Sequence, residues 1–133
     1  MMKATELMVG NIVEIDGKPQ RIRSVTRRKV AYCRLNSPNQ SYARIHDIAP
    51  IPITEELLVR NGFEKKPNIY RDYRIKIKDY KIEVHFGSCA VGRVCYVTIE
   101  EPYGDQIAGN DINHLHQLQN LLNIMDIKLD FVV

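Results

Sequence analysis

The sequence predicts an α+β fold, and three patterns lead to that class. Short β-prone runs separated by turn residues fill the first 50 positions, apolar and charged residues alternate between 73 and 86, and apolar residues recur at helical spacing between 112 and 125. We expect a small curled β-barrel-like unit at the N-terminus, a short linking helix, and an antiparallel β-meander packed by a C-terminal helix. The predicted regions are 1–50 and 51–133, which can also form one compact domain.

The N-terminal unit is predicted from four short strands and the turns between them. The strands cover residues 12–15, 20–26, 30–35 and 42–45. Asp16-Gly17 is a strong hairpin signal, because both central residues of a type I′ turn need a positive φ. Pro19 lacks the N–H that a ladder requires, so it marks an edge or a bulge. Several short strands with close turns are typical of a small barrel.

The second region begins with a short helix of about two turns. Thr54 is a typical N-cap, and Glu55 and Glu56 follow it at the positive end of the helix dipole. Gly62 is a typical residue just beyond a helix C-terminus. The helix therefore links the N-terminal unit to the meander.

The meander is predicted from residues that alternate between apolar and charged. Residues 73–78 and 80–86 both alternate, and a tight turn near Asp79 separates them, so they should form one antiparallel hairpin with an oily and a wet face. A third strand is predicted at 93–100. Residues 101–109 are predicted to form a polar loop.

The C-terminal helix is predicted from apolar residues on one face. These residues are Ile112, Leu115, Leu118, Leu122 and Met125. The amides of Gln117, Gln119 and Asn120 are not required by packing, and we interpret them as a solvated face or local hydrogen bonds. Residues 127–133 alternate again and predict a closing strand.

Positive charge is concentrated in the first region. Residues 1–50 contain nine Lys and Arg against four Asp and Glu, a net charge of +5, and no acid occurs between Lys18 and His46. A small barrel with a basic face and aromatic rings is a common way to hold single strands or RNA. The alternative interpretation is a solvated charged surface. The predicted nucleic-acid contacts are Arg21, Arg23, Arg27, Arg28, Lys29, Arg34, Tyr32 and Tyr42.

Candidate catalytic and metal-binding groups are few. Cys33, Cys89 and Cys95 have no Cys-x-x-Cys spacing, and three cysteines favour free thiols over a disulfide framework. A thiol at Cys89 with His85 as its base would be the centre of a small cysteine-dependent enzyme, the least favoured interpretation. No phosphate-loop or dinucleotide motif occurs, so we expect no cofactor and no metal.

Membrane and export signals are missing from the sequence. No apolar run approaches the roughly 18–20 residues of a membrane span, and residues 1–7 lack the apolar segment of a secretory signal. We therefore expect a cytoplasmic protein without a membrane partner, whose partner is nucleic acid or another protein.

Three segments carry a family resemblance. They are Glu6-Leu7-Met8-Val9-Gly10-Asn11, then Pro50-Ile51-Pro52-Ile53-Thr54-Glu55-Glu56-Leu57-Leu58 leading to Gly62-Phe63-Glu64-Lys65, and Leu115-His116-Gln117-Leu118-Gln119-Asn120-Leu121. Their order and spacing resemble a group of small uncharacterised proteins of Bacteroides-type bacteria, their prophages and mobile elements. The resemblance implies a bacterial origin and brings no catalytic residues. The resulting hypothesis is a non-enzymatic binding or accessory protein of a prophage or mobile element, with nucleic-acid binding through residues 18–46 as the alternative.

Overall fold

The computed structural model describes residues 2–35, 37–67, 71–86, 96–104, 106–110 and 112–133. Two antiparallel five-stranded sheets and a C-terminal helix account for most of these residues, which confirms the α+β class. The chain divides into two compact units. The first contains Met1–Pro52 and His114–Asn120, and the second contains Ile53–Asn113 and Leu121–Val133.

The first unit is built on a sheet with strand order β4-β3-β2-β1-β5. Its strands are β1 (Ile12–Ile15), β2 (Lys18–Val25), β3 (Lys29–Arg34), β4 (Gln40–Arg44) and β5 (Ile48–Ala49). Asp16 and Gly17 connect β1 to β2 with φ values of 54° and 75°, as the hairpin signal predicts. A 3-10 helix (Ala4–Glu6) precedes this sheet, and a second one (Ile45–Asp47) links β4 to β5.

The sheet of the first unit is open, so the predicted closed barrel is not supported. Strands β4 and β5 are its two edges, and the residues described show no pairing between them. Strand β5 has two residues, and Pro50 directly after it has no N–H with which to extend a ladder. A bulge between Ile22 and Ser24 bends β2, so curvature is present without closure.

One face of this sheet carries the apolar core of the first unit. The core side chains are Met2, Leu7, Val13, Ile15, Ile22, Val30, Ile45 and Ile48, all buried. Burial of side chains of this size stabilises a fold by roughly 1.5–3 kcal/mol each. Tyr32 and Ala43 pack against this cluster and are partly buried.

Helix α2 (Leu115–Ile124) buries Leu115, Leu118 and Leu122 of its predicted apolar face, whereas Ile112 and Met125 lie just outside the helix and are half-buried. Leu115, Leu118 and Leu122 are at most 2% exposed. Two of its amides do more than the predicted local bonding. Gln119 Oε1 accepts from the N–H of Ile12 at 2.8 Å, and Asn120 Oδ1 accepts from the side chain of Asn11 at 2.7 Å. These bonds tie the first turns of α2 to the start of β1.

The second unit opens with helix α1 (Glu55–Arg60), which is capped as predicted. The Thr54 hydroxyl accepts from the N–H of Leu57 at 3.1 Å, and Gly62 follows the helix with φ of 90°. Leu57 and Leu58 are buried. The helix therefore begins and ends where its sequence signals lie.

The second sheet has strand order β10-β9-β8-β7-β6. Its strands are β6 (Glu64–Lys65), β7 (Asp72–Ile77), β8 (Tyr80–His85), β9 (Tyr96–Glu100) and β10 (Gln106–Asn110). Strands β7 and β8 form the predicted hairpin, with Lys78 at φ of 54° in the two-residue turn. The prediction of a polar loop over 101–109 is wrong from Gln106 onward, because β10 pairs with β9 there.

The closing strand predicted at 127–133 does not form. The side chain of Asn61 bonds both backbone groups of Val132 instead, accepting from its N–H at 2.7 Å and donating to its carbonyl at 2.9 Å. Of the apolar residues in the alternating pattern, Ile127 and Phe131 are buried, and Leu129 and Val133 are half-buried. The backbone partner is one amide side chain rather than a neighbouring strand.

Candidate nucleic-acid interface

The predicted contact residues lie on three adjacent strands of the first unit and on the turn between two of them. In the sheet, Lys29 lies directly opposite Arg44, and Arg21 lies opposite Cys33. Arg27 and Arg28 occupy the turn between β2 and β3, which a hydrogen bond from the N–H of Thr26 to the carbonyl of Lys29 closes at 2.9 Å. Apart from the half-buried Arg21, the basic side chains of residues 18–44 are exposed.

These cations have no carboxylate partners within the part of the chain that the structure describes. The contact between a basic ring and a carboxylate in this region joins His46 Nε2 to Asp47 Oδ1, at 3.6 Å, and involves none of them. Arg21 donates to the carbonyl of Gly10 at 3.4 Å. Like charges directly opposite in a sheet are destabilising, so the pairing of Lys29 with Arg44 has a cost that no acid offsets.

An aromatic ring accompanies the cations on edge strand β4. Tyr42 is 67% exposed, and the ammonium group of Lys29 lies 5.4 Å from the centre of its ring. A ring that is exposed on one side and flanked by a cation is the arrangement on which nucleobases stack. Tyr32 differs, because it packs against the apolar core and is only partly exposed.

Strand register divides the predicted residues between the two faces of the sheet. Arg21, Lys29 and Tyr42 share a face with Arg44, which the sequence reasoning did not select. Tyr32 and Arg34 lie on the other face, with the apolar core. Arg23 is the bulge residue of β2 and has no partner in β3. Alternation along β3 and β4 was the signal that could have identified Arg44.

A second cluster of polar side chains lies in the meander of the second unit. His85 Nδ1 lies 3.1 Å from Oδ1 of Asp72, and its Nε2 lies 3.1 Å from the hydroxyl of Thr98. The ring also stacks on Tyr96, with centroids 4.2 Å apart. Sequence reasoning placed His85 on the wet face and missed this pairing. The two-residue turn at Lys78 sets Asp72 opposite His85. The length of that turn, read from the sequence, could therefore have predicted the contact between the two side chains.

The cluster lies inside the second unit. A carboxylate, an imidazole and a hydroxyl in sequence are the elements of a nucleophilic triad. Here all three residues are 8% exposed, and Thr98 lies within β9 between Glu83 and Ala108. Both ring nitrogens of His85 are engaged. Cys89 and Cys95, the thiols of the enzyme hypothesis, lie outside the described residues.

The described residues show neither a metal-binding cluster nor a helix that could span a membrane. Within them, no group of three or more His, Cys, Asp or Glu side chains is arranged to hold a metal ion. Cys33 is a buried free thiol. Within the same ranges, none of the helices combines the length and the apolar character needed to cross a membrane.

Comparison with known proteins adds no relative. Searches against protein-family models, curated proteins and solved structures find no match to this chain. The interpretation of the site therefore rests on its own geometry and charge.

Proposed function

We propose that the protein is a non-enzymatic binding protein of a bacterial prophage or mobile element, and that its ligand is nucleic acid. The mobile-element setting rests on the sequence resemblance. The choice of ligand rests on one observation. Strands β2 to β4 and the β2–β3 turn expose lysines and arginines that have no carboxylate partner among the described residues, and one of them, Lys29, lies beside the exposed ring of Tyr42.

Phosphate contact would supply most of the affinity. Each phosphate that a cation neutralises releases condensed counterions, so added salt weakens binding. The logarithm of the binding constant falls with the logarithm of the salt concentration, with a slope of about 0.7 per phosphate contact on single strands and about 0.9 on duplexes. Unpaired cations suit this role, because no intramolecular ion pair has to break first. Tyr42 would add base stacking, which every base can provide. We therefore expect little sequence preference.

The experiment is a titration of labelled single- and double-stranded oligonucleotides at low and near-physiological salt. Replacing Arg27, Arg28 and Lys29 with Ala should weaken binding to all sequences alike. It should also reduce the slope of the salt dependence by the contribution of up to about three phosphate contacts. The matched control replaces Lys76, Lys78 and Lys81 of the second unit, which are also exposed, and changes the net charge equally. Equal losses in both variants would indicate a net-charge effect, and no binding at low salt would contradict the proposal.

A further inference from the structure

A pocket of about 340 Å³ opens in the first unit beside the β1–β2 turn. That volume falls in the usual range of small-ligand sites. Its walls include Gln20 from β2, Tyr32 and Arg34 from β3, and Ser41 from β4, with Asp16 and Lys18 at the turn. Gln20 lies opposite Arg34, and Ile22 lies opposite Tyr32, so Gln20, Tyr32 and Arg34 share one face of the sheet.

Gln20 is the unusual residue in this pocket. It is 7% exposed, and its buried Oε1 has no hydrogen-bond partner among the described residues. A buried polar atom left without a partner is rare in folded proteins and needs an explanation. No hydrogen bond from another described residue holds that oxygen, so rotation about the terminal torsion can bring either the oxygen or the NH₂ toward the pocket. A ligand with both a donor and an acceptor would satisfy it.

The other walls restrict the chemistry of that ligand. The phenol ring of Tyr32 is half-buried and offers a stacking surface, while Arg34 and Lys18 are exposed cations on the same pocket. Asp16 is the one acid among the lining residues given above. An amide edge, an aromatic ring and two cations correspond to a hydrogen-bonding base, its stacking face and its phosphate.

We propose that this pocket takes one unpaired nucleobase, with Gln20 bonding its edge, Tyr32 stacking on it and Arg34 and Lys18 contacting the adjoining phosphate. The proposal rests on the proposed nucleic-acid function and restricts it to single strands, since a paired base cannot leave its duplex without a cost. It also gives a role to Tyr32 and Arg34, which lie on the opposite face from Lys29 and Tyr42.

The first test compares one labelled oligonucleotide as a single strand, as a duplex and as an abasic single strand. The intact single strand should bind about tenfold more tightly than the abasic one, because a stacked base contributes on that order. Gln20→Met keeps the length of the side chain and removes its polar atoms, so it should reduce that ratio several-fold and leave the salt slope unchanged. Equal binding of intact and abasic strands by the native protein would overturn the pocket and leave the basic strands unaffected.

Two controls keep the result interpretable. The melting temperature of Gln20→Met should be maintained, since the amide oxygen has no hydrogen bond to lose among the described residues. Arg34→Ala gives a second route if that variant fails to fold, and exposed Arg60→Ala in the second unit is its matched control. Arg34→Ala should weaken binding of the intact strand several-fold more than Arg60→Ala does. Equal effects would overturn the assignment of Arg34.

A titration with nucleoside monophosphate separates this proposal from the one on which it rests. Saturable binding that Gln20→Met weakens, with no comparable binding of inorganic phosphate, would support a base pocket even if oligonucleotides fail to bind. Equal binding of inorganic phosphate and nucleoside monophosphate would reduce the pocket to an anion site and overturn its role as a base pocket. No binding of either would also overturn it.

Discussion

The two sheets carry their charges in opposite ways. In the second unit, strand cations face acids: Arg74 lies opposite Glu83 and Glu64, and Lys81, which faces Lys76 on one side, faces Glu100 on the other. An ion pair of 3.0 Å joins Lys66 to Glu83 in the same unit, and another joins Arg71 to Glu55. In the first unit, β2 to β4 carry cations and no acid.

This difference separates charge that stabilises the fold from charge that is available to a ligand. Opposite charges across strands contribute roughly 0.2–1 kcal/mol per pair, whereas the facing Lys29 and Arg44 oppose the pairing of β3 with β4. A surface that keeps such a cost without a compensating acid is the better candidate for an anionic partner. The meander therefore provides an internal reference for the basic strands.

The largest expected effect is a loss of stability when a buried leucine of helix α2 is truncated, and α2 offers one such leucine in each unit. Leu118 belongs to the first unit and Leu122 to the second, and both are at most 2% exposed. Replacing either with Ala should lower the free energy of unfolding by about 2–5 kcal/mol, the usual cost of a large-to-small core change. Urea denaturation measures the change, and Ile124→Ala, at a site 78% exposed, is the control. An unchanged unfolding curve for Leu118→Ala would contradict its place in the core.

A smaller effect should separate the two kinds of charge. His85→Ala removes the partner of Asp72 and Thr98 and should cost about 1–3 kcal/mol, as expected when buried polar groups lose a hydrogen bond. Replacing Arg27, Arg28 and Lys29 with Ala should change stability by no more than about 0.5 kcal/mol each, because they are exposed and unpaired. Both are measured by thermal unfolding at fixed pH.

The matched control for that comparison is Lys81→Ala, an exposed change on the same strand as His85. A loss of stability clearly above about 1.5 kcal/mol in the triple-alanine variant, more than three exposed substitutions should cost together, would show that the basic turn is part of the fold. In that case its binding defect could not be assigned to lost phosphate contacts.

Local signals in the sequence were enough to predict several elements. The Asp16-Gly17 turn, the Thr54 cap and Gly62 each depend on residues within a few positions, and each is found as expected. Whether the first sheet closes, and which conformation residues 127–133 adopt, depend on partners far along the chain. Asn61 and Val132 are 71 positions apart, and no local pattern indicates that they bond.

The candidate site shows the same limit. Alternation identified most of the exposed cations, but the bulge at Arg23 and the pairing of Lys29 with Arg44 required the strand register. Gln119 was interpreted as solvated or locally bonded, and it bonds Ile12, 107 positions away. An amide on a helix carries no sequence signal that distinguishes a distant backbone partner from water.

The stability of the protein should depend on pH through a buried histidine of the first unit. His116 is 2% exposed, and neither ring nitrogen has a hydrogen-bond partner among the described residues. Burial lowers the pKa of His116 below its ordinary value of 6.5; the neighbouring His114 lowers it further, and Glu6 opposes the shift. The unfolded chain therefore takes up a proton at a pH where the folded protein does not. Stability should be full above about pH 6.5 and should fall as the pH drops toward the folded-state pKa.

His116→Leu should remove that part of the pH dependence, because leucine fills the site without a titratable group. The measurement is the free energy of unfolding in urea at several pH values between 8 and 5, compared between the native protein and the variant. His46→Gln is the control, since its ring lies on the surface. The difference between native and His116→Leu curves should grow only below about pH 6.5. A constant difference across the range would show that His116 takes up its proton without cost in the folded state, which its lack of hydrogen-bond partners argues against.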